Sequence, residues 1–164
     1  AFVFCLSNIF YTTKLNIENL QLLTMKNKQK VLFVCTGNSC RSQIAEGLLR
    51  HMANKYVDVF SAGSNPSRVH PNAISVMDEV KIDISNQTSD GIDQYLNTGI
   101  DTVITVCDNA SKICPVFPGE TKRIHWSIED PFKGWNAEKK HLNSFRSTRD
   151  ELKIRIQQFI KEME

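Results

Sequence analysis

The segment VLFVCTGNSCRSQIAEG occupies residues 31–47 and decides the fold. It opens with a short apolar, β-branched run over 31–34, which is typical of a buried parallel strand. A turn containing Gly37 follows. From 42 to 54, apolar residues then recur at intervals of three and four positions, which predicts one face of a helix. The segment therefore predicts a strand that passes through a tight loop directly into a helix.

The rest of the chain continues the alternation of strands and helices. Strands are predicted at 57–60, 102–106 and 123–126, and helices at 71–80 (with proline in the first turn), 89–96 (with Ser89 as a cap) and 137–163. This order favours an α/β fold with three layers, α/β/α, around a four-stranded parallel sheet. Ligands of such folds gather at the carboxyl ends of the strands.

The composition excludes several classes of protein. A chain of 164 residues with 41% hydrophobic and 23% charged residues is typical of one globular domain. A formal charge of +2 does not favour nucleic acid as a partner. The longest apolar runs fall short of the roughly 18 residues of a membrane span. We expect a cytoplasmic monomer without a nucleic-acid or membrane partner.

The five cysteines are an odd number, which favours reduced, reactive thiols over a disulfide framework. Cys5 lies in residues 1–24, ahead of Met25. We interpret that stretch as an N-terminal extension, a translated leader or start-site artefact, with a short extra helix as the alternative. Residues 25–164 are expected to form a single catalytic domain. The other cysteines form two pairs, neither with the C-x-x-C spacing of a zinc ribbon or a thioredoxin motif.

Cys35, Arg41 and Ser42 form the pattern C-x-x-x-x-x-R-S between the first strand and the first helix. A loop in this position turns backbone N–H groups inward and ends at a helix N-terminus, which together make an anion site. The arginine adds a fork of donors for an oxyanion and favours the thiolate of Cys35. A buried cysteine before an ordinary capped helix is the alternative. The predicted oxyanion-binding residues are Thr36, Gly37, Asn38, Ser39, Cys40, Arg41 and Ser42.

Two further segments follow later strands. Asp130, which Pro131 holds extended, can protonate a leaving oxygen if its loop folds over the anion loop; alone, an Asp-Pro pair is more often a plain turn. Cys107 follows the third strand, so its thiol is expected at the same rim as Cys35, with Cys114 seven residues on. Two small buried residues flanking a loop are the alternative for this pair.

These segments, with FSAG (60–63), IDISNQTSD (82–90), VITVCDNASKICPVFPG (103–119) and HWSIEDP (125–131), resemble the thioredoxin-coupled arsenate reductases. That family shares the fold of the low-molecular-weight protein tyrosine phosphatases. The resemblance implies that Cys35 attacks arsenate, that Arg41 and the loop amides hold the oxyanion, and that Asp130 protonates the departing oxygen. Cys40 matches a loop cysteine of both groups and is expected to be structural or redox-protective.

The resemblance also implies a relay of three cysteines. Cys107 would attack the adduct on Cys35, releasing arsenite and leaving a Cys35–Cys107 disulfide, and Cys114 would then attack Cys107. A dithiol protein such as thioredoxin, supplied by NADPH, would reduce the resulting Cys107–Cys114 disulfide. Asp108 and Asn109 are typical of a branch whose electron donor the resemblance does not assign, so the reductant stays open.

Some reductases of this family bind a potassium ion beside the loop, and Asn38, Glu46, Ser61 and Asp90 match the ligand positions. The alternative is that Asn38 and Ser61 brace the loop by hydrogen bonds while Glu46 and Asp90 are solvated. No tightly bound cofactor is expected beyond this ion.

Two other functions compete with arsenate reduction. A phosphatase would use the same Cys35, Arg41 and Asp130 but would have no use for Cys107 and Cys114. An anion-sensing or redox-sensing module would keep the loop without turnover. The retention of nucleophile, anion clamp, acid and two further cysteines disfavours the sensing module.

Overall fold

The computed structural model describes residues 28–163. The extension expected over 1–24, with Cys5, lies outside the described residues. Within 28–163, no helix combines the length and the apolar character that a membrane span requires.

Strands and helices alternate along the described chain, as the sequence predicts. The strands are β1 (Gln29–Cys35), β2 (Val57–Gly63), β3 (Thr102–Thr105) and β4 (Lys122–His125). The helices are α1 (Arg41–Ala53), α2 (Pro71–Asp78), α3 (Asp108–Ile113) and α4 (Leu142–Met163), with 3-10 turns at Ile92–Tyr95 and Lys139–His141.

The four strands form one parallel sheet in the order β2-β1-β3-β4. The central strand β1 is fully buried from Val31 to Val34, because helices flank the sheet. Val34 pairs with Thr105 of β3, so these two strands end side by side. The loops that carry Cys35 and Cys107 therefore leave the sheet at the same edge, which is where parallel sheets bind ligands. The predicted α/β fold is confirmed.

Helix α1 packs against β1, β2 and α4, and α4 also packs against α2. Ile44 and Leu48 of α1, like Leu152 and Ile156 of α4, belong to the buried core. Burying one such side chain fully stabilises the fold by roughly 1.5 to 3 kcal/mol. This packing holds α1 rigidly beneath the loop that precedes it.

Two predicted elements differ from the structure, and one helix was not predicted. Residues 89–96 form only the 3-10 turn Ile92–Tyr95, because Asp90 and Gly91 pair with the end of β2: Gly91 forms a β-bridge with Gly63, and Asp90 O accepts from Gly63 N–H at 2.8 Å. The long last helix begins at Leu142 rather than 137, after the 3-10 turn Lys139–His141. Helix α3 lies in a stretch that the sequence leaves as a loop, since six residues are too short to show a helical period.

Candidate active site

The loop between β1 and α1 turns its carbonyl groups outward. Asn65 N–H donates to Thr36 O at 2.9 Å, and Ser67 N–H donates to Gly37 O at 3.1 Å. The next two carbonyls are bonded in the same way: Asn38 O accepts from Ser89 Oγ and Gln43 Nε2, and Ser39 O accepts from His70 N–H. With the carbonyls held outside, the N–H groups are left facing the concave side of the loop.

The inward amides form a concave cradle at the loop where the sequence predicts anion binding. Asn38 takes a positive φ of 44°, a conformation that asparagine tolerates better than most residues. Its N–H points at Cys35 Sγ at a distance of 3.2 Å. Among the described residues, the N–H groups of Gly37, Ser39 and Cys40 find no acceptor. Such a nest of free N–H groups at the start of a helix binds anions.

Gly63 lets the end of β2 pass directly beneath this cradle. A Cβ atom at this position would lie 2.5 Å from Thr36 O and 2.8 Å from Asn38 N. Both neighbours are backbone atoms, which cannot move aside as the end of a flexible side chain could. Glycine is therefore required here by close approach rather than by its own φ.

Hydrogen bonds around Cys35 direct a hydroxyl proton at its sulfur. Cys35 Sγ lies 3.0 Å from Ser42 Oγ and is almost fully buried. Ser42 Oγ already accepts a hydrogen bond from Asn38 Nδ2 at 2.9 Å. Since a hydroxyl has a single proton, that proton is free to be donated to Cys35 Sγ. Two donors, the Ser42 hydroxyl and the Asn38 N–H, are thus directed at the sulfur at the base of the cradle.

Arg41 joins the cradle to the loop that follows β4. Its Nη2 donates to Asp130 Oδ2 at 2.9 Å and its Nη1 to Ile128 O at 3.1 Å. Its Nε is buried without a hydrogen-bond partner among the described residues, so the guanidinium still has a donor to offer a ligand. The loop carrying Asp130 thus folds over the anion loop, which is the condition that a general acid requires.

Two adjoining cavities open around the Arg41–Asp130 pair. One, of about 350 Å³, contains Cys35 and is walled on one side by Phe132 and Trp135. The other, of about 590 Å³, contains Cys107. Thr36, Arg41 and Asp130 line both cavities. The two thiols therefore face neighbouring parts of one cleft.

Cys107 lies at the N-terminus of α3 and contacts the anion loop. Its Sγ accepts a hydrogen bond from Ala110 N–H at 3.3 Å, which makes it the cap of the helix. The same sulfur lies 3.5 Å from Thr36 Oγ1, and Asn109 Nδ2 donates to that hydroxyl at 3.2 Å. Thr36, which follows Cys35 in the chain, therefore connects the anion loop to α3.

Strand β4 holds both ends of α3. His125 Nε2 lies 3.1 Å from Asp108 Oδ1 at the N-terminal end, and Arg123 Nη2 donates to Cys114 O at 3.2 Å at the other end. Burial raises the pKa of the Cys114 thiol, although the nearby Arg123 opposes the change. Sequence reasoning missed His125 and Arg123, because nothing in the local pattern of β4 relates it to α3.

Cys40 belongs to the loop but differs from the other cysteines in chemistry. Burial raises its pKa to about 12. Its nearest polar partner is Ser39 Oγ at 3.6 Å. At neutral pH Cys40 is therefore a protonated thiol, and it cannot serve as a nucleophile without a change in its surroundings.

Asn38, Glu46, Ser61 and Asp90 lie close together, as expected, but their hydrogen bonds do not fit a potassium ion. Asn38 directs its Nδ2 group, not its oxygen, at Ser61 Oγ, 2.8 Å away. Ser61 Oγ donates to Glu46, and Glu46 is also paired with Arg50. A cation needs oxygen ligands, and here an amide NH₂ faces the Ser61 hydroxyl and a guanidinium faces the Glu46 carboxylate instead.

Comparison with known proteins identifies the family. Residues 30–164 match the family described as low molecular weight phosphotyrosine protein phosphatase. The chain belongs to this family. Among the members it resembles is an arsenate reductase of Halalkalibacterium halodurans, 45% identical over 133 residues that cover 81% of this chain and 96% of that protein.

Solved structures of the family give the same fold. An arsenate reductase in a phosphate-binding state is 40% identical, with a TM-score of 0.67 over 83% of this chain and 99% of that one. A thioredoxin-dependent arsenate reductase of Corynebacterium glutamicum is 29% identical, with a TM-score of 0.67 over 84% of this chain and 62% of that one. The expected family resemblance is confirmed.

Proposed function

We propose that the protein reduces arsenate to arsenite through a relay of Cys35, Cys107 and Cys114. The observation that carries this proposal is the contact of Cys107 Sγ with Thr36 Oγ1, which brings a second thiol to the rim of the loop that holds Cys35. A phosphatase has no use for that thiol. The similarity to arsenate reductases over most of the chain agrees with this choice.

In the first step, the arsenate oxygens occupy the cradle of inward N–H groups and accept hydrogen bonds from Arg41. The Cys35 thiolate attacks arsenic, an S–As bond forms, and one As–O bond breaks. Asp130 donates a proton to the departing oxygen, which leaves as water. For this, Arg41 must exchange part of its pairing with Asp130 for the oxyanion, and its Nε, which has no partner among the described residues, is a further donor.

In the second step, the Cys107 thiolate attacks Cys35 Sγ. The S–S bond forms as the S–As bond breaks, and the electron pair of that bond stays on arsenic. Arsenic(V) becomes arsenic(III) and leaves as arsenite. The hydrogen bond from Ala110 N–H holds the Cys107 sulfur at the N-terminus of α3, beside the anion loop, before the attack.

In the third step, Cys114 attacks Cys107 Sγ and releases Cys35 as a thiolate. Cys107 and Cys114 flank the six residues of α3, and a helical span of seven residues rises about 10 Å. A disulfide needs Cα atoms about 4.4 to 6.8 Å apart. Helix α3 must therefore unwind, and this movement also exposes the new disulfide to a dithiol protein of the thioredoxin type.

The test is steady-state production of arsenite by the full chain with thioredoxin, thioredoxin reductase and NADPH. Sustained arsenite with matching NADPH consumption supports both the relay and the donor. A single equivalent of arsenite per protein would keep the relay and reject this donor. If no arsenite forms, the reductase proposal fails.

A second candidate, hydrolysis of aromatic phosphomonoesters, is favoured by one observation. Phe132 and Trp135 wall the cavity above Cys35, and Trp135 lies between the stacked ring of His70 and the guanidinium of Arg68. Such a fixed aromatic wall suits a planar leaving group. Hydrolysis of p-nitrophenyl phosphate, measured beside arsenite formation, tests it. Trp135→Ala is expected to raise KM for this ester severalfold, whereas the distant, exposed Tyr56→Ala leaves it unchanged.

A further inference from the structure

A continuous chain of hydrogen bonds runs from the nucleophile to a surface arginine. Ser42 Oγ contacts Cys35 Sγ, and Asn38 Nδ2 donates both to Ser42 Oγ at 2.9 Å and to Ser61 Oγ at 2.8 Å. Ser61 Oγ, which accepts from Asn38, donates its own proton to Glu46 Oε2. Glu46 Oε1 completes the chain by accepting from Arg50 Nη2.

The orientation of the Asn38 amide fixes the direction of this chain. Its Oδ1 accepts from the backbone N–H of Asp90 at 2.7 Å, and a backbone N–H can only donate. The NH₂ group must therefore point toward Ser42 and Ser61. Turning the amide over would place two donors against each other at Asp90. On the side that faces Ser61 and Glu46, Asn38 therefore offers no oxygen ligand to a metal ion.

Arg50 lies where a cation would neutralise the buried carboxylate. Glu46 is nearly buried, and Asp90 adds a second negative charge nearby. Burial raises the pKa of Glu46, while the hydrogen bond from Ser61 and the charge of Arg50 oppose that rise. Besides Glu46, Arg50 is held by Val59 O at 2.9 Å and, more loosely, by Gln87 Oε1 at 3.5 Å. Three contacts from three different segments fix the guanidinium in place.

We propose that Arg50 is a built-in cation that takes the place of potassium in this protein, and that it positions the Glu46–Ser61–Asn38–Ser42 chain behind Cys35. Removal of the guanidinium leaves two carboxylates, Glu46 and Asp90, beside a hydroxyl, and that oxygen-rich set then accepts a potassium ion. The inference rests on the proposed function only for its effect on turnover. The binding of the ion is independent of whether arsenate is the substrate.

The test measures the melting temperature of the full chain in potassium chloride and in choline chloride of equal ionic strength. The wild type is expected to melt at the same temperature in both salts. Arg50→Ala is expected to melt about 2 to 4 °C higher in potassium, because an ion that binds only the folded state stabilises it. Arg155→Ala removes another arginine paired with a glutamate four residues away, on α4, and is expected to show no potassium effect.

Turnover supplies a second readout. In choline chloride, Arg50→Ala is expected to lose activity severalfold and to regain it in potassium, while Arg50→Lys keeps its activity in both salts. A potassium-dependent rise in the melting temperature of the wild type would overturn the proposal, as would an Arg50→Ala protein that is indifferent to potassium. If every variant lacks arsenate reduction, the melting data still decide the role of Arg50 while the proposed function fails.

Discussion

The hydroxyl of Thr36 lies 3.5 Å from the sulfur of Cys107, although 71 residues separate them in the chain. The contact arises because β1 and β3 are adjacent parallel strands that end at the same edge of the sheet. It places a second thiol beside the loop that carries the first. The chemistry of the cleft therefore depends on the pairing of two strands as much as on the loop itself.

Replacing the two relay cysteines should stop the reaction at different points. With Cys107→Ser, the adduct on Cys35 has no thiol to attack it, and steady-state arsenite formation should fall at least about 100-fold. With Cys114→Ser, Cys107 still releases arsenite, so one equivalent per protein should appear before turnover stops. Quantifying arsenite after rapid mixing, with mass spectrometry of the disulfides, distinguishes the two. Continuous turnover by either variant would contradict the relay.

Gly63→Ala should disrupt the cradle from below. The new Cβ would lie 2.5 Å from Thr36 O, so the loop must shift and the fold should lose about 1 to 3 kcal/mol. Urea unfolding measures the loss, and titration with inorganic phosphate measures anion binding. Gly91→Ala is the control, because its nearest neighbour is a flexible proline Cγ at 4.0 Å. Equal stability of the two variants would refute the close-approach argument.

Much of the fold was predictable because the signals are local. The apolar run before Cys35, the glycine turn and the periodic apolar face of α1 all lie within residues 31–53. Each predicts its own element without reference to the rest of the chain. The rim position of Cys107 followed from the rule that ligands of parallel sheets gather at strand ends.

The remaining features depend on contacts between distant segments. The pairing of His125 with Asp108 requires β4 to lie next to β3, and a histidine in a strand gives no sign of it. The four residues predicted to bind potassium also depend on contacts between distant segments. They match by position, but the direction of the Asn38 amide is decided by the backbone N–H of Asp90, 52 residues away.

Cys40 should make the free energy of unfolding depend on pH in the alkaline range. Its folded pKa of about 12 lies above the ordinary value of 9.0, so the unfolded chain loses this proton first as pH rises. The free energy of unfolding should therefore fall between about pH 9 and pH 12. Urea unfolding of the wild type and of Cys40→Ala, measured across this pH range, separates the contribution of Cys40 from that of lysine and tyrosine titration. Between pH 9 and pH 12, the free energy of unfolding of the wild type should fall by roughly 1 to 4 kcal/mol more than that of Cys40→Ala. If the two free energies fall in parallel with pH, this prediction is wrong.

The contacts between β4 and α3 should limit how often α3 opens and exposes the Cys114 thiol. His125→Ala removes one partner of Asp108. The loss of one such hydrogen bond, about 1 kcal/mol, should make opening of α3 about fivefold more frequent. Amide hydrogen exchange over Asp108–Ile113 measures opening directly, and alkylation of Cys114 should accelerate in parallel because its thiol leaves the burial that raises its pKa. Lys122→Ala, an exposed change on the same strand, is the control. If exchange in α3 is the same in both variants, His125 does not restrain the helix, and the unwinding that the third step requires must be limited elsewhere.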